Sequence, residues 1–269
     1  MWPFRKKFDK TVTRTKTRNF PVKPEKIKDF RNFKYHDNFM SLRGILPDRV
    51  DLRDTGYFNP IRDQGIIGSC TAMATGSLIE YLWNKKRDKI DLDISELYQY
   101  YYTRELEGRT QIDSGAYIIN AIKTPFVHGF TTEEMWPYIV TDFDDKPSIT
   151  ARTSAVWFKR FLNDNAYYEI YSTKDKLQQV LADGYPIVFG AKVNQNFLDL
   201  DKAWVEEPKG DYKGGHCMLI VGYFYLDTEL FWIIRNSWGE DWGAKGYAFM
   251  PEKFRVEYCF DYYTMRDFK

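Results

Sequence analysis

Residues 62–74 read RDQGIIGSCTAMA, and the reading of this stretch turns on whether Cys70 is a nucleophile or a small core residue. A free cysteine taken alone belongs to the core, because it is among the most buried residue types. Its neighbours change that expectation. Ser69 can cap a helix that starts near Cys70 and runs through TAMATGSLIEYLWNKK, with Ala74, Leu78, Tyr81 and Leu82 on one apolar stripe. Cys70 then sits at a helix N-terminus, one of the two features that lower a thiol pKa; the other is an imidazolium partner.

Only His36, His128 and His216 can supply that imidazole. His216 lies in GGHCMLIVGY, where two glycines permit close backbone approach and a β-type apolar run follows. A catalytic imidazole also needs a group that fixes its tautomer and ring plane. Asn236, in RNSWGEDWG just after the strand-like LFWIIR, can serve, with Trp238 placed to keep water from such a bond. His128 and His36 read as solvated or structural.

Further along the chain, ISELYQYYYTREL, with Ser95 as cap, and GAYIINAIKT read as two more helices. The second half, YYEIYS, YPIVFGAKV, HCMLIVGYFY, LFWIIRNS and GYAFMP, reads as antiparallel strands, with KDKLQQVLAD helical between the first two. Helices followed by strands indicate an α+β protein of two lobes.

The segments QGIIGSCTA, GGHCMLIVGY and IIRNSWGEDWGAKGYAFM resemble the three active-site segments of the papain-like cysteine proteases, in the family order Cys, His, Asn. His216 stands 146 residues after Cys70 and Asn236 stands 166 after it, against a family spacing of roughly 130–150. The resemblance implies a two-lobed fold in which a helical lobe (about 60–145), carrying the Cys70 helix, packs against an antiparallel, β-barrel-like lobe (about 150–250), with the active-site cleft between them. It implies that Cys70 is the nucleophile, that His216 is general base and acid held by Asn236, and that Gln64 donates to the oxyanion beside the Cys70 amide. Ser114, Gly115 and Ala116 are expected along the substrate cleft, with Trp238 and Met250 also near it. The implied activity is peptide hydrolysis on a peptide or protein substrate, with no cofactor. An acyltransferase or a catalytically idle peptide-binding module built on the same residues is the alternative.

The chain departs from the pattern at Ile67-Gly68-Ser69-Cys70-Thr71, where many members have Cys-Gly-Ser-Cys-Trp. The missing first cysteine removes the usual disulfide, and the pattern is closest to bacterial or viral members. Three cysteines, no Cys-x-x-Cys pair and no Asn-x-Ser/Thr site argue against a disulfide-stapled secreted scaffold. A cytoplasmic or other reducing compartment is expected, the virion or host cytoplasm if the source is viral, with no secretory signal and no membrane span. A metal site on Cys70, Cys217 and Cys259 is not expected, since zinc sites favour ligand pairs a few residues apart; Cys217 and Cys259 read as buried small residues.

The net charge of +1 conceals an asymmetry: residues 1–49 hold 14 Lys and Arg against 5 Asp and Glu, while the remainder is acidic. Residues 1–45 therefore read as a basic arm, with a short aromatic helix possible at 29–42, and residues 46–269 as the peptidase domain. The arm can dock on its own acidic body, stay solvated, or meet an external polyanion or targeting receptor. The docked form makes it an inhibitory prosegment, with cleavage expected near residues 41–46; no nucleic-acid partner is expected.

Overall fold

The computed structural model describes Val22, residues 45–163 and residues 167–269; the proposed helix at 29–42 and His36 lie outside the described residues. The centre of the molecule is helix α1, Cys70–Arg87, which is buried from Cys70 to Asn84 on every side. The stripe expected from its sequence is widened to the whole circumference, because strands, α2 and α3 surround it. Asp88, at φ 53°, ends the helix in the left-handed conformation, and Lys85, Lys86 and Arg87 in the last turn complement the dipole.

Helix α2, Glu96–Glu105, is capped by Ser95, whose Oγ accepts the Tyr98 N–H at 3.1 Å. Helix α3, Ile118–His128, contains Pro125, which cannot donate to the Ala121 carbonyl. Gln99 Nε2 of α2 donates to that carbonyl instead, at 2.8 Å, so the proline's missing hydrogen bond becomes a tie between two helices. Helix α4, Ile149–Lys159, falls where the sequence suggested the start of the strand lobe; Ser148 Oγ caps it by accepting the Ala151 N–H. It packs on α3, and its Phe158 joins Trp83, Phe130, Phe161 and Phe268 in one aromatic cluster.

The strands are β1 (Arg49–Asp51), β2 (Tyr167–Glu169), β3 (Ile187–Asn194), β4 (Tyr212–Leu226), β5 (Glu229–Arg235), β6 (Tyr247–Pro251) and β7 (Cys259–Met265). They form one antiparallel sheet in the order β2-β7-β3-β4-β5-β6, with β1 added to β4. Helices α5 (Lys174–Ala182), α6 (Gln195–Leu198) and α7 (Glu252–Tyr258) complete the lobe. The strand path is open, since β2 and β6 at its ends are not paired, yet it curls. Helix α7 returns the chain from β6 to β7 so that Cys259 Sγ stands 3.6 Å from Met250 Sδ across the concave side. Met250, expected near the cleft, is fully buried there and paired with Trp232.

Sheet and α1 meet at β4, whose register sets Ala191 opposite His216 and Gly190 opposite Cys217. Across the other edge, Arg235 of β5 lies opposite Leu219. The next residue, Asn236, is then level with position 218, one pleat repeat from His216 on the same face.

Candidate active site

Cys70 begins α1 and is completely buried. Ser69 occupies the cap position but makes no side-chain cap bond; its hydroxyl lies 2.6 Å from Tyr138 Oη instead. With no acid in the first turn either, the N–H groups at the helix start are left to the sulfur: those of Cys70 and Thr71, with that of Cys217 from β4, all act on Cys70 Sγ to favour its anion. The Cys217 contact places the strand residue next to His216 against the sulfur.

His216 is fully buried, and its Nε2 lies 2.7 Å from Asn236 Oδ1. An amide oxygen can only accept, so Nε2 carries the hydrogen and Nδ1 is the basic nitrogen of the neutral ring. Asn236 Oδ1 also accepts the Ser237 N–H at 2.8 Å, which holds the carboxamide oxygen, and the Asn236 N–H donates to Gly246 O at 2.9 Å, which holds its main chain. Trp238 stacks on the imidazole at 4.3 Å between centroids and is itself buried.

Gln64 is brought to the same place by pairing between two loops. Its N–H donates to Ser237 O at 2.9 Å, the Gly239 N–H donates to Arg62 O at 3.0 Å, and Asp63 bridges Trp238. The Gln64 carboxamide is fixed at both ends, Oε1 accepting from Ser237 Oγ at 2.8 Å and one Nε2 hydrogen going to Ile67 O at 2.9 Å. One Nε2 hydrogen is not used by these two bonds. Ser114, Gly115 and Ala116 precede α3 beside the same loop: Asp113 Oδ1 accepts the Gly68 N–H at 2.9 Å and the Tyr100 hydroxyl, whose oxygen accepts the Gly115 N–H at 3.2 Å. Thus the structure gathers Cys70, His216, Asn236, Gln64, Trp238 and the 114–116 segment, and leaves Met250 in the core.

Burial acts on the thiol against the helix N-terminus. Burial pushes Cys70 up to about 12, outweighing the three backbone N–H groups, so the enclosed sulfur is a neutral thiol. Burial likewise raises Cys217 and Cys259; all three cysteines are free. Val22, the described residue of the arm, is 3% exposed and packs beside His216. A methyl group built on Gly215 would fall 1.8 Å from the Val22 carbonyl oxygen, so Val22 lies with its main chain against the strand, one residue from His216.

Arg62, two residues before Gln64, reaches Glu80 Oε1 at 3.2 Å, Glu96 Oε1 at 3.3 Å and Asp93. Burial raises Glu96 to about 8 and Glu133 to about 7, against the pull of Arg62. Among the described residues no group of three or more His, Cys, Asp or Glu is placed to hold a metal ion, and no helix is long and apolar enough to cross a membrane. His128 stacks on Tyr102 at 4.4 Å, far along the helical lobe. The sequence reading did not single out Ser237, Tyr138, Asp113 or Val22; Ser237 stood inside the quoted Asn236 motif.

The sequence model of the papain family of cysteine proteases matches residues 46–260. An uncharacterized peptidase C1-like protein of Acanthamoeba polyphaga mimivirus is 32% identical over 260 residues, covering 92% of this chain and 76% of its own. Cathepsin K of Mus musculus is 29% identical over 212 residues, and the chain spans 60% of its length. Among solved structures, xylellain, a cysteine protease from Xylella fastidiosa, superimposes with a TM-score of 0.80 at 29% identity, covering 96% of this chain and 99% of that one.

Proposed function

The chain belongs to the papain family of cysteine proteases, and from that premise we propose that it hydrolyses peptide bonds through a thioester on Cys70. The observation that carries this reading is the 2.7 Å bond from His216 Nε2 to Asn236 Oδ1, on a strand whose next amide reaches the Cys70 sulfur. It fixes the tautomer that an acceptor of the thiol proton requires.

In the proposed sequence the Cys70 proton moves to His216 Nδ1 and the sulfur attacks the peptide carbonyl carbon. The oxyanion lies between the second Nε2 hydrogen of Gln64 and the Cys70 N–H. The C–N bond breaks as His216 returns the proton to the leaving amine. Water, giving its proton to His216, then cleaves the thioester and regenerates the thiol.

Residues 1–45 act in this proposal as an inhibitory prosegment ahead of a peptidase domain at 46–269. Val22, buried against Gly215 one residue from His216, supports docking of the arm over a solvated tail. The test is labelling with a peptide epoxide together with hydrolysis of small peptides, before and after cleavage of the arm. Modification at Cys70 alone, abolished in His216→Ala and accelerated by arm cleavage, is expected. Equal slow labelling of Cys70, Cys217 and Cys259 would remove the peptidase reading, and product that depends on an added amine would favour acyl transfer.

A further inference from the structure

The two proposed oxyanion donors, the Gln64 side chain and the Cys70 amide, belong to one loop, and a single hydroxyl from elsewhere in the chain spans that loop. Tyr138 Oη donates to the Gln64 carbonyl at 2.9 Å and accepts from Ser69 Oγ at 2.6 Å. The directions are consistent, since a phenol has one hydrogen to give and the Gln64 carbonyl can only accept. Ser69 contributes the carbonyl half of the peptide whose nitrogen is the Cys70 N–H. The run Ser69 to Tyr138 to Gln64 is therefore a strut between the main-chain anchors of the two donors.

We propose that Tyr138 is a positioning residue for the oxyanion site, setting the separation of the Gln64 amide and the Cys70 N–H without touching substrate. The inference rests on the peptidase reading above. The strut is itself braced. The Tyr138 N–H donates to Glu133 Oε1 at 2.7 Å, the neighbouring Trp136 carbonyl accepts from Ser95 Oγ at the cap of α2, and the Tyr138 ring packs in the cluster of Ile67, Ala72, Leu97 and Tyr100. Oxyanion donors must meet an atom displaced from the ground-state carbonyl position, so an error in their spacing costs rate without costing substrate binding.

Tyr138→Phe keeps the ring and removes only the strut, which makes it the discriminating variant. It is measured on the full chain with the arm cleaved after folding. Losing one oxyanion donor outright costs about 10²–10³ in rate, so a misplaced pair is expected to lower kcat by about 3- to 30-fold, with KM within about twofold of the parent. Binding of a peptide aldehyde, which forms a tetrahedral adduct, should weaken by the same factor. The rate of iodoacetamide alkylation of Cys70, which needs no oxyanion site, should stay unchanged. In a Gln64→Ala background the hydroxyl should no longer matter, and Ser69→Ala should reproduce the loss from the other end of the strut. An unchanged kcat, a loss confined to KM, alkylation that slows in step with kcat, or an equal factor in the Gln64→Ala background overturns the proposal. A parent that hydrolyses peptides while Tyr138→Phe matches it overturns this inference alone; a parent that hydrolyses none overturns the peptidase reading and this inference with it.

Discussion

Replacing Gly215 by alanine should unlatch the arm. Gly215 lies in β4 in backbone outside the left-handed region, so alanine is acceptable to the strand itself. Its Cβ, however, would sit 1.8 Å from the Val22 oxygen and 2.8 Å from the Val22 carbonyl carbon, where real contacts do not fall below 3.0 Å. The carbonyl must retreat by about 1.2 Å, and it is backbone, so no rotamer change relieves the clash. If Val22 leaves its site, the covered state loses the burial of one valine side chain, about 1.5–3 kcal/mol. That shifts the ratio of covered to open chain by roughly 10- to 150-fold.

The assay is the rate of iodoacetamide labelling of Cys70 in the intact chain, followed by mass spectrometry, where the covered state dominates. The expected result is a rise by that factor in Gly215→Ala. Val22→Asp changes nothing in the cleft and should give a similar rise, and the two changes combined should exceed neither by much, because each removes the same contact. An unchanged labelling rate in Gly215→Ala would refute the reasoning. So would a rise in Gly215→Ala that Val22→Asp fails to reproduce, since the methyl would then be acting on the strand instead of the arm.

Other outcomes follow from the same geometry. Gln64→Ala should lower kcat by about 10²–10³, while Ser237→Ala, which removes only the 2.8 Å bond that aims the Gln64 carboxamide, should cost roughly tenfold; steady-state kinetics on one peptide compares them. Glu133 and Glu96 are raised by burial from an ordinary value of 4.5 to about 7 and about 8, so the folded chain holds protons that the unfolded chain has released across that interval. The stability they confer is complete below about pH 4.5 and is lost as pH rises through 7 to 8; urea midpoints should fall from pH 5 to pH 8 in the parent and fall less in Glu96→Gln. Gly129, at φ 76°, has the Ala155 oxygen 2.1 Å from where a Cβ would be, so Gly129→Ala should cost about 3 kcal/mol or more in denaturant unfolding by forcing α3 and α4 apart.

The parts of this fold that were legible in the sequence are those with local signatures. The start of α1 at Cys70, the Ser95 cap of α2 and the strands carrying His216 and Asn236 all follow from short-range pattern, and the three motifs named the family. Helix α4 escaped because ITARTSAVWFK mixes Thr and branched residues with little apolar period, leaving Ser148 after Pro147 as its one start signal. Tyr138, Asp113 and Ser237 act through bonds that span between 45 and 173 residues of chain, and no window of sequence carries such pairings. The burial of the thiol was illegible for a related reason. A helix N-terminus can be read from sequence, but the complete burial that overrides it comes from residues distant in the chain.

That burial bears on how a prosegment survives beside a nucleophile. In the enclosed state the Cys70 thiol is raised from 9.0 to about 12, which at any neutral pH reduces the thiolate population by roughly a thousandfold. In the proposed precursor, release of the arm admits water to the sulfur, and the desolvation that dominates the shift falls away. The Cys70, Thr71 and Cys217 N–H groups then act in the opposite direction, toward the anion. In that proposal, occlusion and deactivation of the nucleophile are one event. Release of the arm there precedes attack, and the contact of Val22 with Gly215 is one that release has to break.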